Sequence, residues 1–181
     1  MDDLSEFGIK YMTDKAPIGT YHAYTIRYQQ LFEPIRFNVR RVLEIGIERG
    51  ASLQMWRDYF PYAEVHGLDI VDYRSTLAGL DRIHVHFGDA KDPAVLAELA
   101  KEEWDIVVDD GSHNLDDMRD TCLALYPSTR SVYVIEDVHL AWWGSQLEGS
   151  LLSLCGRPEK LISRTTDERA AYIYDKRAVA C

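Results

Sequence analysis

Short runs rich in Val, Ile, Leu and Tyr recur along the chain, each separated from the next by a longer polar or amphipathic stretch. Arg41-Val42-Leu43-Glu44-Ile45-Gly46, Ala63-Glu64-Val65-His66-Gly67-Leu68-Asp69-Ile70, and the segments 82–90, 104–108 and 131–135 read as strands. The stretches 51–60, 93–102 and 114–126 have helical length, so they predict crossovers between parallel strands. A helix ending near Gly156 and two last strands, 161–164 and 171–174, flanking a turn through 165–168, close the chain as a hairpin. This pattern predicts an α/β, Rossmann-like fold: a mostly parallel sheet with helices on both faces and an antiparallel edge strand. Ahead of it, residues 1–39 read as a helical arm or lid on a single compact domain of residues 40–181. After Tyr21, the residues Tyr24, Tyr28, Leu31 and Phe32 fall on one helical face, suited to packing on the sheet or on a partner subunit.

In open α/β sheets, ligands bind beyond the carboxyl ends of the strands. Two of the predicted strands end there in acids: Asp109-Asp110-Gly111-Ser112-His113 and Glu136-Asp137-Val138-His139. If Asp110, Glu136 and Asp137 converge, each like-charged pair about 4 Å apart repels by roughly 4 kcal/mol at an effective dielectric near 20. A divalent cation or shared protons would offset this, and an all-oxygen donor set favours Mg²⁺, Mn²⁺ or Ca²⁺ over zinc. The plainer role for acids in such places is to cap the following helices. Lys15, His22 and Tyr24 are the arm residues that would reach this edge, with Lys15 and Tyr24 as candidate contacts to a bound cofactor.

Gly46 and Gly50 mark a strand-to-helix turn that suits nucleotide, flavin and S-adenosylmethionine sites alike. Asp69, ending the next strand 25 residues after Glu44, is placed to accept hydrogen bonds from ribose hydroxyls, and Asp89 is placed for an adenine amino group. Together they point to an adenosine cofactor. His84 and His86 share one strand face and read as packing residues, since no third ligand accompanies them in sequence.

Composition narrows the classes. With 181 residues, 46% hydrophobic and 28% charged, the chain suits one globular domain, and no apolar run is long enough to span a membrane. A net charge of −10 argues against general nucleic-acid binding, and the basic positions between Arg36 and Arg41 are few. The acidic start, Met1-Asp2-Asp3-Leu4-Ser5-Glu6, is unlike a secretory signal. Cys122, Cys155 and Cys181 form no metal-binding spacing and fit a reducing compartment. The expectation is a cytoplasmic protein, homo-oligomeric through its aromatic arm.

Taken in order, LEIGIERG, GLDI, GDA, DDGSH and YVIED resemble the class I S-adenosylmethionine-dependent methyltransferases, and more narrowly the metal-dependent sugar O-methyltransferases of macrolides, rhamnosides and bacterial polysaccharides. The resemblance runs from Thr13-Asp14-Lys15 to about Trp143, with Glu48 where the family commonly has glycine. It implies a seven-stranded sheet; S-adenosylmethionine held by Glu44, Gly46 and Ser52 at its methionine part, by Asp69 at the ribose and by Asp89 near the adenine; Mg²⁺ (or Mn²⁺) on Asp110, Glu136 and Asp137; and His113 as general base. The implied acceptor is a small sugar or glycoside. A catechol-type methyltransferase, a non-catalytic nucleotide-binding module and a dehydrogenase are the alternatives, the last weakened because G-x-G-x-x-G is absent at Gly46.

Overall fold

The computed structural model describes residues 3–19, 22–163 and 168–179. Met1, Asp2, Tyr21, Arg164, most of the turn through 165–168, and Cys181 lie outside them. Seven strands, β1 (Arg41–Ile45), β2 (Glu64–Asp69), β3 (Ile83–Phe87), β4 (Trp104–Asp109), β5 (Thr129–His139), β6 (Glu159–Ile162) and β7 (Arg169–Asp175), form one sheet in the order β3-β2-β1-β4-β5-β7-β6. Pairing is parallel from β3 through β5, while β7 runs antiparallel to both β5 and β6. The order reverses between β1 and β4, which opens the ligand crevice at their carboxyl ends.

Alternation along the buried strands feeds two cores. Val42, Val65, Ile106, Val108, Val132 and Val134 face one way, under α1 (Leu4–Tyr11), α2 (Thr25–Phe32) and α3 (Ala51–Tyr59). Leu43, Ile45, Val107, Tyr133 and Ile135 face the other, under α4 (Pro93–Leu99), α5 (Leu115–Leu125) and α6 (Ser145–Cys155). Asp92 and Asn114 cap α4 and α5 through their side chains.

Helix α1 is not foreseen by the apolar pattern. Asp3 caps it by accepting from the Ser5 amide, and Met12 ends it in a left-handed conformation. The aromatic face of α2 is covered from within, because Tyr28 and Phe32 pack on Trp56 of α3 and on Phe60. That face is therefore not available to a partner subunit. Among the described residues, no helix is long and apolar enough to cross a membrane.

One irregularity matters for the site. Ile135 pairs with Tyr172 and Val138 with Ala170, so Glu136 and Asp137 together stand opposite one residue, a bulge, with Asp137 at φ 55°. Strict alternation would send these neighbouring acids to opposite faces. With the extra residue, both reach the α2 side, while Val138 returns to the α5–α6 core.

Candidate active site

The two acid-ended strands, β4 and β5, meet the arm at their carboxyl ends. Lys15 lies in the loop between α1 and α2, and its side chain is buried among acids from three strands. Its Nζ donates to Asp110 Oδ2 at 2.5 Å and to Glu136 Oε2 at 2.9 Å, with Glu44 Oε1 at 3.3 Å. The charge compensation expected from a cation or from protons is thus supplied in part by a lysine more than ninety residues away in sequence. Burial alone would lower the Lys15 pKa, but Asp110, Glu136 and Glu44 hold it well above its ordinary value.

The acids respond in turn. Burial pushes Glu44 up to about 7, against the pull of Lys15 and of the Ser52 hydroxyl, which donates to Glu44 Oε2 at 2.6 Å. Burial also raises Asp110 and Glu136 despite the same lysine. Asp109 is pushed up to about 8 by burial; its Oδ1 accepts from the Gly111 amide, and its buried Oδ2 has no hydrogen-bond partner among the described residues.

Glu136 and Asp137 are held differently. Glu136 has both oxygens engaged, by Lys15 and by the Tyr28 hydroxyl at 2.8 Å. Asp137 accepts from Tyr24 Oη at 2.9 Å and from Arg169 at 3.1 Å, with His22 Nδ1 at 3.3 Å. Asp137, Asp110 and His113 each offer a ligand atom, and these atoms lie within 4.8 Å of one another. His113 Nε2 is 3.9 Å from Asp110 Oδ1, and its buried Nδ1 has no hydrogen-bond partner among the described residues. His113 and Asp137 both sit at positive φ, 54° and 55°, a conformation that costs a side-chain-bearing residue of order 1–3 kcal/mol and clusters at functional sites.

Two cavities flank Gly46. One, about 330 Å³, is lined by Leu68, Asp69, Asp89, Asp109, Ser112 and Met118 among others. The other, about 550 Å³, is lined by Thr13, Lys15, Glu48, Ser52 and Asp110 among others. Gly46, at φ 78°, is required by the fold itself, because a Cβ there would stand 2.2 Å from the Asp110 carbonyl oxygen. Asp69 accepts from the Ile47 and Glu48 amides at 2.9 and 3.0 Å and from Val71 at 2.8 Å, so it clasps the glycine turn. Asp89 accepts from the Lys91 amide at 2.9 Å. Glu48, at the common glycine position, adopts φ 46°.

The structure thus brings Lys15, Glu44, Ser52, Asp110 and Glu136 into one buried cluster, with Tyr24, Asp137 and His113 beside it and Asp69 and Asp89 across Gly46. Tyr28 and Arg169 were missed from sequence; Tyr28 falls on the predicted aromatic face, but nothing local marks its hydroxyl as a partner of Glu136. His66 was missed as well: on β2 it stacks between His84 and His86, with Nδ1 3.0 Å from His86 Nε2. The three rings stack on one another across the β2–β3 edge.

The strand order, the single antiparallel strand β7 and the glycine turn at the β1/β4 switch point define the class I methyltransferase fold. The MycE methyltransferase of the mycinamycin biosynthetic pathway, solved in complex with Mg and SAH, superposes with a TM-score of 0.76 at 32% identity, covering 94% of this chain and 54% of that one. More narrowly, the sequence of this chain is similar to those of named O-methyltransferases. It is 40% identical over 152 residues to demethylmacrocin O-methyltransferase of Streptomyces fradiae, across 78% of this chain and 38% of that protein. It is 37% identical over 153 residues, across 77% of this chain and 38% of the relative, to 8-demethyl-8-(2-methoxy-alpha-L-rhamnosyl)-tetracenomycin-C 3'-O-methyltransferase of Streptomyces olivaceus. The chain therefore spans well under half the length of these curated relatives. No protein-family model matches it.

Proposed function

We propose that this chain binds S-adenosylmethionine and a divalent cation, Mg²⁺ or Mn²⁺, and methylates a hydroxyl of a sugar or glycoside. The observation that carries this reading is the set Asp110, His113 and Asp137, converging at the β4 and β5 ends beside the Gly46 turn. The donor chemistry fits a hard divalent ion, with carboxylate oxygens predominating. Asp110 and Asp137 would hold the ion, with Glu136 adjoining them. Bound there, a divalent cation lowers the pKa of a coordinated hydroxyl and orients it.

The chain's own groups do the rest. The cavity at Asp69 and Asp89 takes the adenosine, and the cavity at Ser52 and Lys15 takes the methionine part, which places the methyl group near Gly46. Three of roughly four acceptor positions on Asp69 are taken by amides, so two ribose hydroxyls would have to displace at least one of them. His113, with Nε2 turned toward Asp110, is the general base that takes the proton from the acceptor hydroxyl. Lys15 holds Asp110 and Glu136 in place and limits their mutual repulsion. A second reading, favoured by the ligand-atom geometry, makes His113 a third metal ligand instead of a free base.

The test is calorimetry of S-adenosylmethionine and S-adenosylhomocysteine on metal-stripped protein, followed by Mg²⁺ with methyl glycosides and with catechol. Micromolar cofactor binding, and glycoside binding only with metal, are expected. Binding of neither cofactor would remove the functional reading, and a preference for catechol would move the acceptor to planar diols.

A further inference from the structure

Four residues hold tryptophan, and they are treated very differently by the fold. Trp56 and Trp104 are fully buried, whereas Trp142 is 64% exposed. It lies in a single π turn, Leu140–Gly144, directly after β5. Such turns insert an extra residue per turn and occur often at functional sites. Here Trp143 packs toward the α5–α6 core while Trp142 projects outward.

The exposed indole is held in a fixed orientation. It stacks on the His139 imidazole with centroids 4.1 Å apart and planes 11° from parallel, and Trp143 meets it edge-on at 6.3 Å. On the order of 150 Å² of apolar ring surface is thereby offered to solvent in an ordered form. Preorganised surface of this kind binds without first losing rotamer freedom.

Its position is set by the bulge. Val138 returns to the α5–α6 core, so His139 lies on the same side of the sheet as Glu136 and Asp137. His139 is two strand residues beyond Asp137, roughly 7 Å. Arg169, opposite His139 in the β5–β7 ladder, reaches back to Asp137 at 3.1 Å. His139 therefore stands roughly one pyranose width along the strand from Asp137, and the indole stacks directly on it. Pyranoses combine an apolar face of axial C–H groups with equatorial hydroxyls at the rim, so one ring can lie on an indole and direct its hydroxyls toward carboxylates.

We propose that Trp142, braced by His139, is the stacking platform for the acceptor's sugar ring; this rests on the sugar-methyltransferase reading above. Trp142 makes no bond to the reacting atoms and acts as a binding residue that sets which ring face, and so which hydroxyl, is presented.

The experiment measures binding of methyl α-L-rhamnopyranoside to the full chain with S-adenosylhomocysteine and Mg²⁺, by calorimetry and saturation-transfer NMR, for wild type, Trp142→Ala and Trp142→Phe. Trp142→Ala is expected to weaken glycoside binding about tenfold and Trp142→Phe less, with S-adenosylhomocysteine affinity unchanged in both. Saturation should be strongest at protons of one ring face. Equal glycoside binding by wild type and Trp142→Ala overturns the platform and leaves the sugar reading standing. Cofactor binding with no glycoside binding by wild type removes the sugar reading, and the platform with it. Catechol binding that Trp142→Ala weakens, without glycoside binding, overturns the sugar class and assigns the indole to a planar acceptor.

Discussion

The ammonium of Lys15 faces three carboxylates where little water reaches, and its loss leaves them uncompensated. Removing one partner of a buried ion pair costs about 3–5 kcal/mol. Lys15→Met is expected to lower urea stability by that order, and Lys15→Met combined with Glu136→Gln, which restores the balance of charge, should recover part of the loss. Wild-type stability in the single variant would show that these contacts do not form in solution. His113 poses a different question, because the base and ligand roles use the same ring. As a base, His113→Ala should cut turnover by about 10²–10⁴-fold and leave Mn²⁺ affinity, read by electron paramagnetic resonance, nearly unchanged. A large loss of Mn²⁺ affinity, with ¹⁴N coupling present in the wild-type signal and absent in the variant's, would make it a ligand.

At the scale of elements, the β5 bulge turns two adjacent acids onto one face, and its left-handed residue is Asp137. Asp137→Gly and Asp137→Val both delete the carboxylate, so both should lose divalent-cation binding. They should differ in stability by about 1–3 kcal/mol, with valine the less stable, because a β-branched residue is strained at that φ. Equal denaturation midpoints would mean the backbone relaxes out of the bulge. The β2–β3 edge carries a pH dependence of its own. Burial, then His84 and His86, push the His66 pKa from 6.5 down to about 3. The unfolded chain then binds more protons than the folded one between those values, so stability is retained above about pH 6.5 and falls as the pH drops toward 3. His66→Phe should flatten that acid limb, and an unchanged pH profile of the melting temperature would rule out His66 as its source. Strand β6 illustrates a smaller shift: expected at 161–164, it forms at Glu159–Ile162, where Lys160 and Leu161 pair with Tyr172 and Ala171.

Across the whole molecule, cofactor and metal are expected to separate experimentally. S-adenosylhomocysteine at a hundred times its Kd should stabilise the fold by about 2.7 kcal/mol, with or without EDTA, and Asp69→Ala should abolish most of that shift. Glycoside methylation should cease in EDTA and return with Mg²⁺; turnover persisting without divalent ions would sink the metal assignment. The fold class, the parallel strands with their antiparallel edge, and the acids at the strand ends were legible in the chain, because alternation and crossover length are local properties. The place of the acid knots was likewise legible, since strand polarity alone puts them at the carboxyl ends. Sequence by itself did not determine what neutralises those acids or how they face. Lys15 meets Asp110 and Glu136 across 95 and 121 residues of chain, Tyr28 meets Glu136 across 108, and His66 meets His86 on a neighbouring strand. Only tertiary packing decides such pairings, because each depends on the angle at which a helix or loop settles on the sheet, and the β5 bulge depends on how β7 pairs with it.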